Sequence, residues 1–332
     1  MKYLCFILMI SPCLAAGSSV TMGTFNAEFL NENKIHIKYG YRFELEEPAD
    51  IEAWSKPGFR HAKLMEATDA VAKALVPLDV DIWCFTEVGT AEEVKLLQDA
   101  FAKHGRTFAY MSAAKSADTH TGQNVAVLSR FPLDVISERI DGVAFYDAEM
   151  DEPYTEDEAT VDKGLHVVVR LGSHKVHLFV THLTSELGGH EKDEKRVAQA
   201  TIIRRSYLPY LMNGEHVIVA GDLNDHIGQP AIRRIRGRDD LFEALIQTAD
   251  RKYVLPQHWS DRWTYNFRGE YNLIDHILVS RSLIRPPQDN NESIHTHVEP
   301  LWDTQHFKKR DLFTVSDHRP LIVTLDLSFN LK

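Results

Sequence analysis

The sequence predicts an α/β protein built from mixed β-sheets covered by helices. Three observations carry that prediction. Short apolar strand patterns recur along the whole chain of 332 residues. Segments with helical apolar spacing separate some of them, while others follow one another through turns too tight to hold a helix. No Pro/Gly/Ser-rich linker or internal repeat divides the chain, so residues 18–332 read as one domain.

The elements follow in order. "SVTMGTFNAEFL" (19–30) reads as a strand ending near Asn26, and residues 31–60 as an irregular insert with Pro48, Pro57 and Gly58. "HAKLMEATDAVAKALVPL" (61–78) places Leu64, Ala67, Val71 and Leu75 on one helical face and stops at Pro77. "VDIWCFTEVG" (80–89) is a buried strand ending at Glu87, and residues 91–105 an amphipathic helix closed by Gly105. Strands follow at 123–133 and 164–183, the latter folded into a hairpin at Gly172-Ser173. A helix over 192–214 leads to the strand "HVIVAGD" (216–222), then a helical segment around 229–248. "RWTYNF", "NLIDHILVS" and "RPLIVTLDL" supply the last strands.

The first residues, "MKYLCFILMISPCLAAGSS", have the layout of a secretory signal peptide: one Lys, an apolar run, a break, then small residues. Residues 1–17 are therefore expected to be removed and the protein to be secreted or periplasmic. The run is too short to span a bilayer, and no stable membrane insertion is expected. Cleavage leaves Cys84 as the sole cysteine, a small buried hydrophobe without a disulfide partner. The net charge of −11 excludes a broadly basic nucleic-acid coat but not hydrolysis of a polyanion, where local positive charge and a divalent metal suffice.

Polar residues recur where the strands end: Asn26 and Glu28, Glu87, His182, Asp222 and Asn224, then Asp275, Asp317 and His318. Each alone has an ordinary structural explanation, a turn cap or a solvated end. Together they form a pattern, because open sheets put ligands at their carboxyl edges. In "AGDLND", residues two apart point to one side of an extended chain, so Asp222 and Asn224 lie together. Carboxylates with Asn make a hard oxygen site for Mg²⁺ or Mn²⁺, and His182 and His318 titrate near neutrality. The Gly-x-Ser-x-Gly nucleophile pattern is absent. The chemistry this implies is metal-assisted attack of water on phosphorus.

"FNAEFL", "FTEVG", "VTHLTS", "AGDLND", "NLIDHILVS" and "VSDHRPL" occur in the order of the endonuclease/exonuclease/phosphatase superfamily, which the chain resembles from about Val20 to Leu327. The resemblance implies a DNase I-like four-layered sandwich, two face-to-face mixed β-sheets flanked by helices. It implies that Glu87 is the principal metal ligand, with Asn26, Glu28 and Asp317 beside it. It implies that Asp275 pairs with His318 and raises its pKa, that Asp222 directs the attacking water, and that Asn224 donates to a phosphate oxygen. His182 matches the histidine of the DNase I and sphingomyelinase branches, a general acid for the leaving oxygen. Thr86 stands where the family usually has Gln, and the late segment resembles bacterial secreted members.

Other features bear on substrate choice. The acidic run over 146–162 reads as a solvated loop, with a structural Ca²⁺ site as the sharper alternative. "RRIRGR" (233–238) and "HFKKRD" (306–311) are patches suited to a phosphodiester backbone, or else solvent-facing charge. Trp54, Trp259, Trp263 and Trp302 are candidate base-stackers, with core packing favoured for Trp263. The sequence thus predicts a secreted, monomeric, Mg²⁺- or Mn²⁺-dependent phosphodiesterase, a nuclease acting on DNA or RNA. A phospholipid-headgroup phosphodiesterase or a phosphomonoesterase of the same fold is the alternative enzyme, and a non-catalytic binding protein the alternative class.

Overall fold

The computed structural model describes residues 19–42, 46–147, 156–238, 244–250, 254, 260–267, 269–284, 294–298 and 315–327. The leader, Trp259, Trp302, the 306–311 patch and the middle of the acidic run lie outside these residues.

The elements in chain order are β1 (Ser19–Leu30), α1 (Ile35–Lys38), α2 (Pro48–Ser55), α3 (Phe59–Leu75), β2 (Ile82–Val88), α4 (Ala91–Lys103), β3 (Tyr110–Ala113), β4 (Asn124–Ser129) and β5 (Leu133–Ser137). After them come β6 (Ile140–Asp147), β7 (Glu156–Val161), β8 (Gly164–Leu171), β9 (His174–Thr181), α5 (His190–Met212), β10 (His216–Asp222), α6 (Pro230–Arg236) and β11 (Leu245–Gln247). The last are β12 (Tyr265–Phe267), β13 (Glu270–Asn272), β14 (Asp275–Ser280), β15 (Ile294–Val298) and β16 (Leu321–Asp326).

One sheet has the order β15-β16-β1-β2-β4-β3 and the other β11-β14-β10-β9-β8-β5. Each contains a single parallel pair, β1 with β2 and β9 with β10, among antiparallel neighbours. Both sheets are therefore mixed, as expected.

Strand alternation builds the layers. On β1, Val20 and Met22 face the second sheet, and on β2 so do Ile82 and Cys84. They share one core with Leu178 and Val180, Ile218 and Ala220, and Ile277 and Val279 from the second sheet. The intervening residues Phe25, Trp83 and Phe85 pack outward beneath α3 and α4. Val217, Val219 and Leu278 pack outward beneath α5 and α6. The result is helix, sheet, sheet, helix: the four-layered sandwich. Thr90 and Glu93 cap α4 reciprocally, with Thr90 N–H donating to Glu93 Oε2 at 2.6 Å and Glu93 N–H to Thr90 Oγ1 at 3.4 Å.

Four expectations need correction. Residues 31–60 are not irregular: they hold α1, α2 and the start of α3. Trp54 is buried there against Tyr39, Tyr41 and Phe59, so it is core rather than a stacking platform. The helix expected around 229–248 ends at Arg236. Gly237 follows at φ 80°, where an added Cβ would lie 2.4 Å from the Arg204 guanidinium, and Leu245–Gln247 pairs as a strand with β14. Both described ends of the acidic run are strand: β6 pairs with β7, and Ala159 and Val161 are buried beneath α5. Alternation hides two apolar side chains among the acids. Among the described residues no helix is long and apolar enough to cross a membrane.

Candidate active site

The inward-facing rows of the two sheets turn polar at one end. On β10 the row Ile218, Ala220 ends in Asp222, and on β9 the row Leu178, Val180 continues to His182. On antiparallel β14 the row begins with Asp275, which pairs in register with Asp222. On β1 it runs from Val20 and Met22 through Thr24 to Asn26. Period-two alternation alone thus aims four of the expected site residues into the gap between the sheets.

Glu87 needs a different device. In a regular strand Thr86, not Glu87, would face the gap. Glu87 instead has φ 58° within a register shift between Thr86 and Val88, and Glu28 and Phe29 have φ 48° and 47° in the matching shift of β1. Left-handed backbone costs an L-residue roughly 1–2 kcal/mol. Such conformations persist where surrounding structure over-determines them, as at functional sites. Here the turned backbone brings Phe29 N–H to Glu87 Oε2 at 3.0 Å, and Glu87 Oε1 accepts from Asn26 Nδ2 at 3.1 Å.

The Asn26 amide holds the centre. Its Nδ2 also donates to Asp222 Oδ2 at 2.9 Å, while its Oδ1 accepts Glu28 N–H at 2.9 Å. His182 Nε2 lies 3.7 Å from Asp222 Oδ2 and 3.9 Å from Glu87 Oε1. His318 Nδ1 meets Asp275 Oδ2 at 2.7 Å, and its Nε2 lies 3.9 Å from Asp222 Oδ2. Asp222 is therefore flanked by both imidazoles. Asn224, at φ 48°, has its N–H on Asp222 Oδ1 at 3.0 Å and donates from Nδ2 to Leu183 O at 3.1 Å. Leu223 between them is buried with the α5 and α6 layer, its N–H bonded to Ile274 O. Gly221 allows the strand to close here, because a Cβ would meet Thr181 O at 2.0 Å.

Burial and charge divide the titrating groups. Burial lowers the His182 pKa well below its ordinary value, aided by Lys163 and His318, so this ring is neutral. Burial acts downward on His318 too, but the charge and hydrogen bond of Asp275, with Asp222 and Asp317, raise it well above the ordinary value. Burial and then the Asp275 charge push Asp222 above the ordinary carboxylate range.

Asp222, Asp275 and His318 have ligand atoms within 4.8 Å of one another. Asp275 Oδ2 already engages His318 Nδ1 at 2.7 Å, so without a metal this trio forms an acid–base cluster. Oxygen donors suited to a divalent ion stand across the gap: Glu87, partly open at 14% of its side chain, with buried Glu28 and half-buried Asp317. The donor chemistry fits Mg²⁺ or Mn²⁺. Asn26 orients two carboxylates with its amide nitrogen, a part the sequence does not distinguish from ligation.

Several residues of the site escaped sequence reasoning. Tyr265 stacks on His318, ring centroids 4.6 Å apart and 26° from parallel, and their backbones form an isolated bridge. Burial, then the charges of Asp317, Asp222, Glu87 and Glu28, raise its phenol pKa. Ser316 Oγ donates to Asn26 O at 2.7 Å and accepts His318 N–H at 3.0 Å. Lys38, wholly buried, donates to Ala27 O at 2.8 Å and Val315 O at 2.6 Å, tying β1 to the Asp317 loop. Only the strand alternation of "RWTYNF" signalled any of these. In the "RRIRGR" patch, Arg233 and Arg234 are exposed on α6, while Arg236 Nε donates to Leu245 O at 3.2 Å.

The family model "Endonuclease/Exonuclease/phosphatase family" matches residues 23–318. No curated protein matches the chain. Among solved structures, the fold is similar to an endonuclease/exonuclease/phosphatase family protein of Bacteroides thetaiotaomicron at TM-score 0.54 and 14% identity, covering 93% of this chain and 98% of that one. It is similar to truncated TDP2 of Caenorhabditis elegans at TM-score 0.53 and 15% identity, covering 93% and 98%. It is also similar to a mutant beta toxin of Staphylococcus aureus with bound magnesium ions at TM-score 0.52 and 14% identity, covering 92% and 99%.

Proposed function

From the premise that this chain belongs to the endonuclease/exonuclease/phosphatase family, we propose that it is a metal-dependent phosphodiesterase acting on nucleic acid. The observation that carries the reading is Asp222, flanked by one neutral and one cationic imidazole and facing Glu87 across the Asn26 amide.

Each residue then has a task its environment suits. Cationic His318, held by Asp275, binds a phosphoryl oxygen and stabilises the charge that grows as phosphorus becomes pentacovalent. Asp222, with its raised pKa, accepts the proton of the attacking water and keeps that water in line. Neutral His182 hydrogen-bonds the leaving oxygen through its ring N–H, and solvent water supplies the proton that oxygen takes up. Asn224, fixed by Leu183, offers its remaining amide hydrogen to the phosphate. Glu87, with Glu28 and Asp317, would hold a divalent ion, which supplies Lewis-acid charge against the phosphoryl oxygens. Export rests on the leader-like layout of residues 1–17.

A substrate panel tests the reading: plasmid DNA, RNA, sphingomyelin and a phosphomonoester, each with Mg²⁺ and with EDTA. The expected result is Mg²⁺-dependent cleavage of DNA or RNA. Turnover of lipid with neither nucleic acid cleaved would replace it with the headgroup-phosphodiesterase reading.

A further inference from the structure

Beside the acid–base cluster lies a second feature, a cleft of about 300 Å³. Trp263, Tyr271, Arg262 and His226 line it. Two stacked pairs succeed each other along the chain. Tyr265 lies on His318, and Trp263, two residues earlier, lies under the guanidinium of Arg319 at 3.4 Å. Arg319 N–H bonds Thr264 O at 2.7 Å, locking the two segments together. Trp263 stands two residues before Tyr265, and Arg319 directly follows His318, so the cleft adjoins the His318 stack along both segments. Tyr271, 63% exposed, stands at its mouth with its ring centroid 4.8 Å from that of Trp263.

We propose that this cleft is a stacking subsite for a nucleobase attached to the phosphodiester held at His318. The inference rests on the nuclease reading and sharpens it. Three features favour a base over a choline headgroup, which would seek bare aromatic faces. The indole already carries one guanidinium, Arg262 adds a second cation to the wall, and His226 contributes a third polar nitrogen. A quaternary ammonium would meet repulsion from those guanidinium groups. A base is neutral and flat, and the cationic walls suit the backbone that carries it. Asp261, paired with Arg319 at 2.7 Å, and Glu186, 3.6 Å from His226, hold those groups in place.

The test uses Tyr271→Ala and Tyr271→Trp in the full protein, since Tyr271 is exposed and lies outside the acid–base cluster. Substrates are a short oligonucleotide and the same strand with abasic sites. Base stacking loss predicts a KM about 5- to 10-fold higher for Tyr271→Ala on the oligonucleotide, with kcat unchanged. Tyr271→Trp restores the wild-type KM, and on the abasic strand all three proteins share one KM. An unchanged KM for Tyr271→Ala on the oligonucleotide would overturn the subsite while leaving the nuclease reading intact. So would an equal rise on the abasic strand, which indicates a backbone contact. A wild-type protein that cleaves no nucleic acid overturns both, and is recognised because it needs no variant.

Discussion

Asn26 and Asp222 lie 196 positions apart, on different sheets, and are joined by a 2.9 Å hydrogen bond across the gap between those sheets. The same amide nitrogen reaches Glu87. One carboxamide therefore fixes the spacing between Glu87 and Asp222.

Replacing Asn26 by Ala removes that spacer and leaves two carboxylates facing each other. Loss of one organising donor predicts turnover lower by about 10²- to 10³-fold. The three lost hydrogen bonds predict destabilisation on the order of 2–4 kcal/mol. Steady-state rates in Mg²⁺ and urea denaturation measure the two effects separately, and wild-type turnover would show that Asn26 does not organise the site.

Asp222→Asn is expected to abolish most activity and to stabilise the fold at neutral and alkaline pH. The sign follows from burial. The folded-state pKa of Asp222 is raised, so its contribution is fully present below the unfolded value of about 4 and is lost as pH rises through the folded value. Thermal melts in EDTA should show the variant's advantage growing from about pH 4 upward. A constant difference across pH would place the effect elsewhere.

Tyr265→Phe keeps the ring on His318, whereas Tyr265→Leu removes it. An aromatic pair of this kind contributes about 0.5–1.5 kcal/mol beyond area burial. Turnover is expected to stay near wild type in Phe and to fall roughly 3- to 10-fold in Leu. Equal losses in both would assign the role to the hydroxyl.

Gly221→Ala must place a Cβ 2.0 Å from Thr181 O at φ 137°. The strands β9 and β10 would have to part at the site, so destabilisation of at least ~2 kcal/mol is expected by chemical denaturation, with loss of activity. A wild-type denaturation midpoint would show that the backbone relaxes freely there.

Much of this was legible because the buried strands are long and apolar. "VDIWCF" and "HVIVAG" announce themselves, and alternation carries the reading on to Asp222. Glu87 was legible only as a residue type at a strand end, since the left-handed turn that aims it leaves no mark in "FTEVG". Short strands such as β3 and β11 draw their stability from neighbours rather than from their own pattern, and they were missed. Tyr265 was readable as a strand residue but not as the support of His318, a contact made 53 positions later in the sequence. Lys38 gives no signal, because a buried lysine is defined by the two carbonyls that receive it.

The central claim is metal-dependent hydrolysis at the end of the inter-sheet core. Its most direct test is the rate of nucleic-acid cleavage across a Mg²⁺ titration, for the wild type and for Glu87→Gln. The account predicts saturable activation that EDTA abolishes, and a variant about 10²-fold slower at any Mg²⁺ concentration that activates the wild type. Undiminished cleavage in EDTA, or a Glu87→Gln protein with the wild-type rate and Mg²⁺ dependence, would contradict it.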